Sequence, residues 1–321
     1  MSIRTDKTAG ETRNADARWR WALLSPRYWP IWAALGFFRL FEPLPYPLLM
    51  ALGRAIGMIA RSLPLGFVRI ARANLKLCFP ELSERERERL LNAHFRSVGM
   101  SLLETALAWW SPNARIIRLT RIEGLEHLEL ARAQGKGVLL LSAHFTPLEI
   151  GARAICAREP TNVMYRPASN PVMGFFLSRN RARRARRAIR RDDIRTLVSA
   201  LKSTEAVWYA PDQAYRKKGA QMVEFFGIPA ATNTATSRLA EMTGAVVLPY
   251  FPERLRDNAG YRVTIHPPLP NFPSGDPIAD ANAYHRALEA QIRRTPEQYL
   301  WIHRRFKGLS ADYPDYYRRL D

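Results

Sequence analysis

Two side chains able to exchange protons stand five positions apart in the stretch Gly137-Val138-Leu139-Leu140-Leu141-Ser142-Ala143-His144-Phe145-Thr146-Pro147-Leu148-Glu149. A neutral imidazole is the commonest general base near neutral pH, and a carboxylate within reach orients it and stabilises its cation. His144 and Glu149 are therefore candidate catalytic residues for taking a proton from a hydroxyl. Each also has a structural reading. A lone histidine can be a packed or solvated side chain, and Thr146-Pro147-Leu148-Glu149 matches a capping box, in which Thr and Glu satisfy the first N–H groups of a helix. A second acid, Asp212, closes the apolar run Ala206-Val207-Trp208-Tyr209-Ala210 in a comparable way, so that it and His144 can converge on one cleft, with turn capping as its structural alternative. Nine arginines fall between positions 178 and 195: Arg179, Arg181, Arg183, Arg184, Arg186, Arg187, Arg190, Arg191 and Arg195. Their planar forks suit phosphate or another anion, and a solvated basic face is the alternative. The six histidines show no H-E-x-x-H or similar grouping, so no metal site is expected.

Such residues act only if the chain brings them together. The apolar run after Gly137 reads as a buried strand and Pro147 as part of a helix's first turn, which sets His144 in a strand-to-helix turn. Ligands collect at the carboxyl ends of strands in open α/β sheets, and a helix N-terminus there offers N–H groups and disfavours an imidazolium. Further strands are expected over residues 116–123, 161–165, 205–210, 245–251, 261–266 and 298–302. Helices are expected over 84–110, 126–134, 170–188, 234–243 and 280–294, the first opened by the capping box Ser83-Glu84-Arg85-Glu86. This alternation predicts an α/β fold, with helices flanking a central mixed sheet.

The composition narrows the partners. In 321 residues, 47% of them hydrophobic, 49 Lys and Arg stand against 29 Asp and Glu, giving a formal charge of +20. An anionic partner follows: nucleic acid, an anionic membrane surface, a phosphorylated substrate or an acidic carrier protein. No helix-turn-helix, zinc-ligand spacing or aromatic stacking platform accompanies the arginines, so nucleic acid is not expected. Cys78 and Cys156 occur in apolar contexts, as in a reducing compartment. Residues 1–27 form a basic, polar lead-in without the pattern of a signal peptide. Residues 28–60 are strongly apolar but interrupted by Arg39, Glu42, Pro43, Pro45 and Pro47. They predict two short helices around a Pro-rich turn, lying on or dipping into a bilayer, with a tilted span or a buried hairpin as alternatives. The α/β domain then covers residues 61–321.

The string from His144 to Glu149 resembles the H-x4-D/E motif of the glycerolipid acyltransferase superfamily. Its neighbours are more specific. Ala73-Asn74-Leu75-Lys76-Leu77-Cys78-Phe79-Pro80, His94-Phe95-Arg96-Ser97-Val98-Gly99-Met100, Tyr165-Arg166-Pro167, Trp208-Tyr209-Ala210-Pro211-Asp212-Gln213 and the string from Pro296 to Lys307 resemble, in order, the bacterial lipid A biosynthesis acyltransferases of late, secondary acylation. The resemblance implies an enzyme at the cytoplasmic face of the inner membrane. It would move a fatty acyl chain from acyl carrier protein to a hydroxyl on an acyl chain of an anionic phosphorylated glycolipid, without metal or cofactor. It further implies His144 as general base with Glu149 as its partner, and Arg166, Arg181 and Asp212 as substrate-binding residues. Ala214 departs from relatives that carry an acid two places after the equivalent of Asp212. Acylation of another glycolipid or an aminolipid is the nearest alternative, and a non-catalytic basic membrane-surface or nucleic-acid-binding protein is the alternative from a different class.

Overall fold

A computed structural model describes residues 21–318; of the basic lead-in, residues 1–20 lie outside the described residues. The strands are β1 (Thr120–Glu123), β2 (Val138–Leu141), β3 (Thr161–Tyr165), β4 (Ala188–Arg190), β5 (Ala206–Tyr209), β6 (Ala220–Phe225), β7 (Ile228–Asn233), β8 (Val246–Arg254) and β9 (Tyr261–Ile265). Seven form one mixed sheet in the order β1-β9-β8-β2-β5-β3-β4, in which only the β8–β9 pair is antiparallel; β6 and β7 form a separate hairpin. The middle strands β2 and β5 are buried along their whole length, which is why they read as unbroken apolar runs rather than alternating ones.

Helices cover both faces. In chain order they are α1 (Trp29–Arg39), α2 (Tyr46–Ser62), α3 (Gly66–Cys78), α4 (Glu84–Trp110), α5 (Asn113–Leu119), α6 (Leu125–Ala133), α7 (Leu148–Cys156), α8 (Pro171–Ala182), α9 (Ile194–Lys202), α10 (Ala235–Thr243) and α11 (Pro277–Arg294). Leu139, Leu141, Val207 and Tyr209 point into a core shared with α3, α9, α10 and α11. Their neighbours Val138, Leu140, Ala206 and Trp208 point into a second core with α6 and α7. The period-two alternation of side chains thus serves two apolar layers.

Register decides where the site forms. Leu141 pairs with Tyr209 across the parallel β2–β5 ladder. Three residues beyond each partner stand His144 and Asp212, so in-register strands carry both to the same end of the sheet.

Several expectations change. Residues 113–119 are helical and only the last four of 116–123 form a strand, because Ile116 faces a core while Ile117 is exposed, as on a helix. The helix over 170–188 stops at Ala182, and 188–190 pair with β3 as an edge strand. Helix α9 and the β6–β7 hairpin were not foreseen. The hairpin turns through Phe226 and Gly227, both at positive φ (53° and 71°), a geometry usually signalled by Asn-Gly. No strand forms over 298–302; a one-turn helix (Pro296–Gln298) and a single bridge from Tyr299 to Phe145 stand there instead.

The capping box at Ser83 is present: its hydroxyl accepts from Glu86 N, and Ser83 N donates to Glu86 Oε2 at 2.8 Å. The apolar segment forms α1 and α2 around the expected Pro-rich turn. Helix α2 lies directly on α4 through three glycines. A Cβ on Gly57 would stand 1.9 Å from the Phe95 carbonyl oxygen, and one on Gly99 2.1 Å from that of Gly53. No single described helix is long and apolar enough to cross a membrane; α2 and α3 together have the length and composition but are bent by 93°. The outward side of α1 and α2 leaves Trp29, Phe37, Leu40, Leu48 and Ile59 exposed.

Candidate active site

His144 stands beyond the end of β2 with its two ring nitrogens in different surroundings. Nδ1 is 2.6 Å from Asp212 Oδ1, and the His144 backbone N–H donates to Asp212 Oδ2 at 3.0 Å. Tyr299 donates its hydroxyl to that same Oδ2 at 3.2 Å. An ionised carboxylate only accepts, so Nδ1 carries the proton and Nε2 is left to receive one. Asp212 is buried, whereas the His144 side chain keeps 30% of its exposure and lines a cavity.

Electrostatics follow from this pairing. Burial alone would depress the imidazole, but the charge of Asp212 and its hydrogen bond outweigh burial, so His144 titrates above the ordinary histidine value. Burial likewise pushes the Asp212 carboxyl up, and it is overcome by the His144 charge, two hydrogen bonds from that residue and the charge of Arg305, which hold Asp212 below the usual aspartate value. The expected disfavouring of the imidazolium by the nearby helix end is thus corrected: a buried carboxylate dominates.

Hydrogen bonds tie the turn that carries His144 to its surroundings. Ser142 N donates to Tyr209 O (2.7 Å) and Ser142 O accepts from the Tyr284 hydroxyl (2.7 Å). His144 O accepts from Leu300 N (2.9 Å), and Thr146 N donates to Gln298 O (2.7 Å). The Thr146 hydroxyl meets Ser97 Oγ at 2.7 Å rather than capping α7, which begins at Leu148 with no side-chain cap. Ser97 in turn accepts from Arg254, whose guanidinium is held bidentately by Glu104 at 2.5 and 2.7 Å. Tyr261 also donates to Glu104, at 2.7 Å.

Glu149 does not hold the imidazole. It is the Asp212 side chain that does so, and the carboxylate of Glu149 instead faces Arg181, whose Nη2 is 3.9 Å from its Oε1. Geometry explains the exchange: in the first turn of α7, Glu149 lines the cavity beside Arg181. Asp212 reaches Nδ1 from behind because β5 ends beside β2. Asp212 is thus bonded to His144 from a buried position and is not among the residues that line the cavity. The cavity measures about 320 Å³, and His144, Glu149, Arg166 and Arg181 all line it. Its remaining lining is largely apolar, including Leu148, Ala152, Val163, Leu177 and Trp208. Tyr299 and the buried Arg305 were not singled out from sequence. Both lie in the string from Pro296 to Lys307, but only the fold brings them under Asp212. Ala214 donates its N–H to His303 Nε2 at 3.1 Å. Among the described residues no group of His, Cys, Asp and Glu could hold a metal ion.

Comparison with known proteins places this geometry. The profile of the family described as "Bacterial lipid A biosynthesis acyltransferase" matches residues 17–308. The lipid A biosynthesis lauroyltransferase of Escherichia coli (strain K12) is 40% identical over 297 residues, covering 92% of this chain and 97% of its own. The palmitoleoyltransferase of the same organism is 42% identical over 285 residues (88% and 93%), and its myristoyltransferase 30% over 305 residues (92% of each). With these relatives, the protein is an acyltransferase, and its His144–Asp212 pair stands beside a largely apolar cavity. The chain is a member of the bacterial lipid A biosynthesis acyltransferase family.

Proposed function

We propose that the protein transfers a fatty acyl group from the thioester of acyl carrier protein to a hydroxyl on an acyl chain of a lipid A precursor, at the cytoplasmic face of the inner membrane. The observation that carries this reading is the His144–Asp212 pair, with Nδ1 engaged and Nε2 available beside the apolar cavity. Nε2 takes the proton of the acceptor hydroxyl as its oxygen attacks the thioester carbonyl. Asp212 stabilises the imidazolium that forms. The carbon–sulfur bond then breaks, the imidazolium returns the proton to the departing thiolate, and an ester and a free thiol result.

Arg181 is the cation next to this event, and it would meet negative charge on the carbonyl oxygen or a phosphate of the acceptor. Glu149 contributes by holding Arg181 in place. Arg166, exposed at the rim, would receive the anionic part of the acceptor. The names of the E. coli relatives support a lipid A-type acceptor and an acyl donor. The formal charge of +20 suits an acidic carrier and an anionic membrane, and the exposed apolar side of α1 and α2 suits contact with lipid.

The test is direct. Purified protein given acyl carrier protein loaded with a radiolabelled acyl chain and Kdo2-lipid IVA should yield a more acylated, faster-migrating lipid. Replacement His144→Ala should lower the rate roughly a hundred- to ten-thousandfold. No product from the unaltered protein would contradict the function, and equal rates from the variant would contradict the mechanism.

A further inference from the structure

The cavity continues past the reacting end. Along α7, Glu149, Ala152, Arg153 and Cys156 share the face that lines it, and along α8 so do Leu177, Asn180 and Arg181, followed by Arg184 and Ala185. At 1.5 Å rise per residue, Arg153 stands about 6 Å further along α7 than Glu149. Two pairs of side chains follow one another along the cavity: Glu149 with Arg181, then Arg153 with Arg184, which stands two residues beyond the end of α8. The first is an ion pair. The second is two cations.

Both guanidiniums of the second pair gather at the C-terminal end of α4. Arg153 Nε donates to Ala108 O at 3.1 Å, its Nη2 reaches Ser111 O (3.3 Å) and Asn113 Oδ1 (2.8 Å), and Arg184 Nη1 donates to Ala108 O as well. Among the described residues neither arginine forms a salt bridge. Arg153 is 7% exposed, and its Nη1 is buried with no hydrogen-bond partner. A buried guanidinium nitrogen left unpaired is costly, and two like charges side by side add to the cost. Burial and the neighbouring charges of Arg153 and Arg183 push Arg184 down to about 10. Among the described residues no carboxylate pairs with either of them, and burial pushes the nearby Cys156 thiol up to about 12, which keeps it neutral.

We propose that Arg153 and Arg184 form an anion subsite one helical turn inside the cavity from the Glu149–Arg181 pair, taking a phosphoryl group of a substrate. The planar forks match a phosphate's oxygens; both arginines line the cavity, and Arg153 Nη1 has no partner within the protein. Two sources offer this chemistry, a phosphate monoester on the glycolipid acceptor and the phosphodiester of the carrier protein's prosthetic arm. Assigning either source rests on the acyl-transfer reading; anion binding itself does not.

The experiment uses the full chain in detergent, with Arg184→Gln as the principal variant, Arg184→Lys as its conservative partner, and Arg153→Gln beside them. Inorganic phosphate, compared with chloride at equal ionic strength, should raise the thermal midpoint of the unaltered protein but not that of Arg184→Gln. In the transfer assay Arg184→Gln should raise a KM about tenfold or more, with Arg184→Lys recovering part of the loss. A rise seen with the phosphorylated acceptor and much reduced with the same acceptor after dephosphorylation assigns the acceptor's phosphate. A rise seen with acyl carrier protein but not with an acyl N-acetylcysteamine thioester assigns the carrier arm. A lowered midpoint with every KM unchanged shows that the pair only caps α4, which overturns the proposal, as does a phosphate response equal to that of chloride. Unaltered protein that gains stability from phosphate yet acylates no lipid overturns the acyl-transfer reading and upholds the subsite.

Discussion

His144 and Asp212 divide their work by position: one carboxylate oxygen meets Nδ1 and the other meets the backbone N–H of the same residue. A carboxylate held at two points fixes the ring's tautomer and its plane together, so Nε2 faces the cavity in the form that can accept a proton. Glu149, the acid adjacent in sequence, belongs to a different interaction. Glu149→Gln weakens the hold on Arg181 without touching the imidazole, so it is expected to lower kcat while leaving the acid limb of the pH–rate profile where it was. Movement of that limb in Glu149→Gln would show that this carboxylate acts on His144 after all.

The elements hold the pair in place by register and by a buried polar chain. Pairing of Leu141 with Tyr209 sets the strand ends level, and the route from Glu104 through Arg254, Ser97 and Thr146 secures the turn that leaves β2. Glu104→Ala would leave Arg254 buried and uncompensated at the centre of that route. The expected loss is about 3–5 kcal/mol of stability, read from the denaturant midpoint of the solubilised protein. A midpoint within experimental error of the parent would mean that this pair carries little of the fold. Much of the framework was legible in the sequence because its signals are local: the buried runs of β2 and β5, the Ser83 capping box, and the periodic apolar positions of α4. The convergence of His144 and Asp212 on one cleft was legible from their places at strand ends, but which acid bonds the imidazole was not, since Glu149 lies five residues away in sequence and Asp212 68. The arginine-rich stretch after Ala182 showed helical composition but ends in an edge strand, because the open side of β3 offered backbone partners that composition does not reveal.

At the scale of the whole molecule, the site opens on an apolar cavity, while α1 and α2 present Trp29, Phe37, Leu40, Leu48 and Ile59 outward on a strongly basic protein. Replacing Trp29, Phe37 and Leu40 together by Ser should weaken retention on vesicles of mixed neutral and anionic lipid more than raising the salt does; unchanged retention would place the lipid contact elsewhere. The acyl-transfer account rests on His144 acting as a base backed by Asp212, and the pH dependence of kcat in Asp212→Asn tests that most directly. In the parent the Asp212 charge holds His144 above the ordinary histidine value of 6.5, so the rate should fall as the pH drops through that raised value and the imidazole becomes protonated. Asparagine removes the charge. The acid limb should then move to lower pH, while the plateau falls roughly a hundred- to ten-thousandfold as the ring loses its orientation and its imidazolium loses its partner. A variant with the parent's plateau and the parent's acid limb would contradict the account.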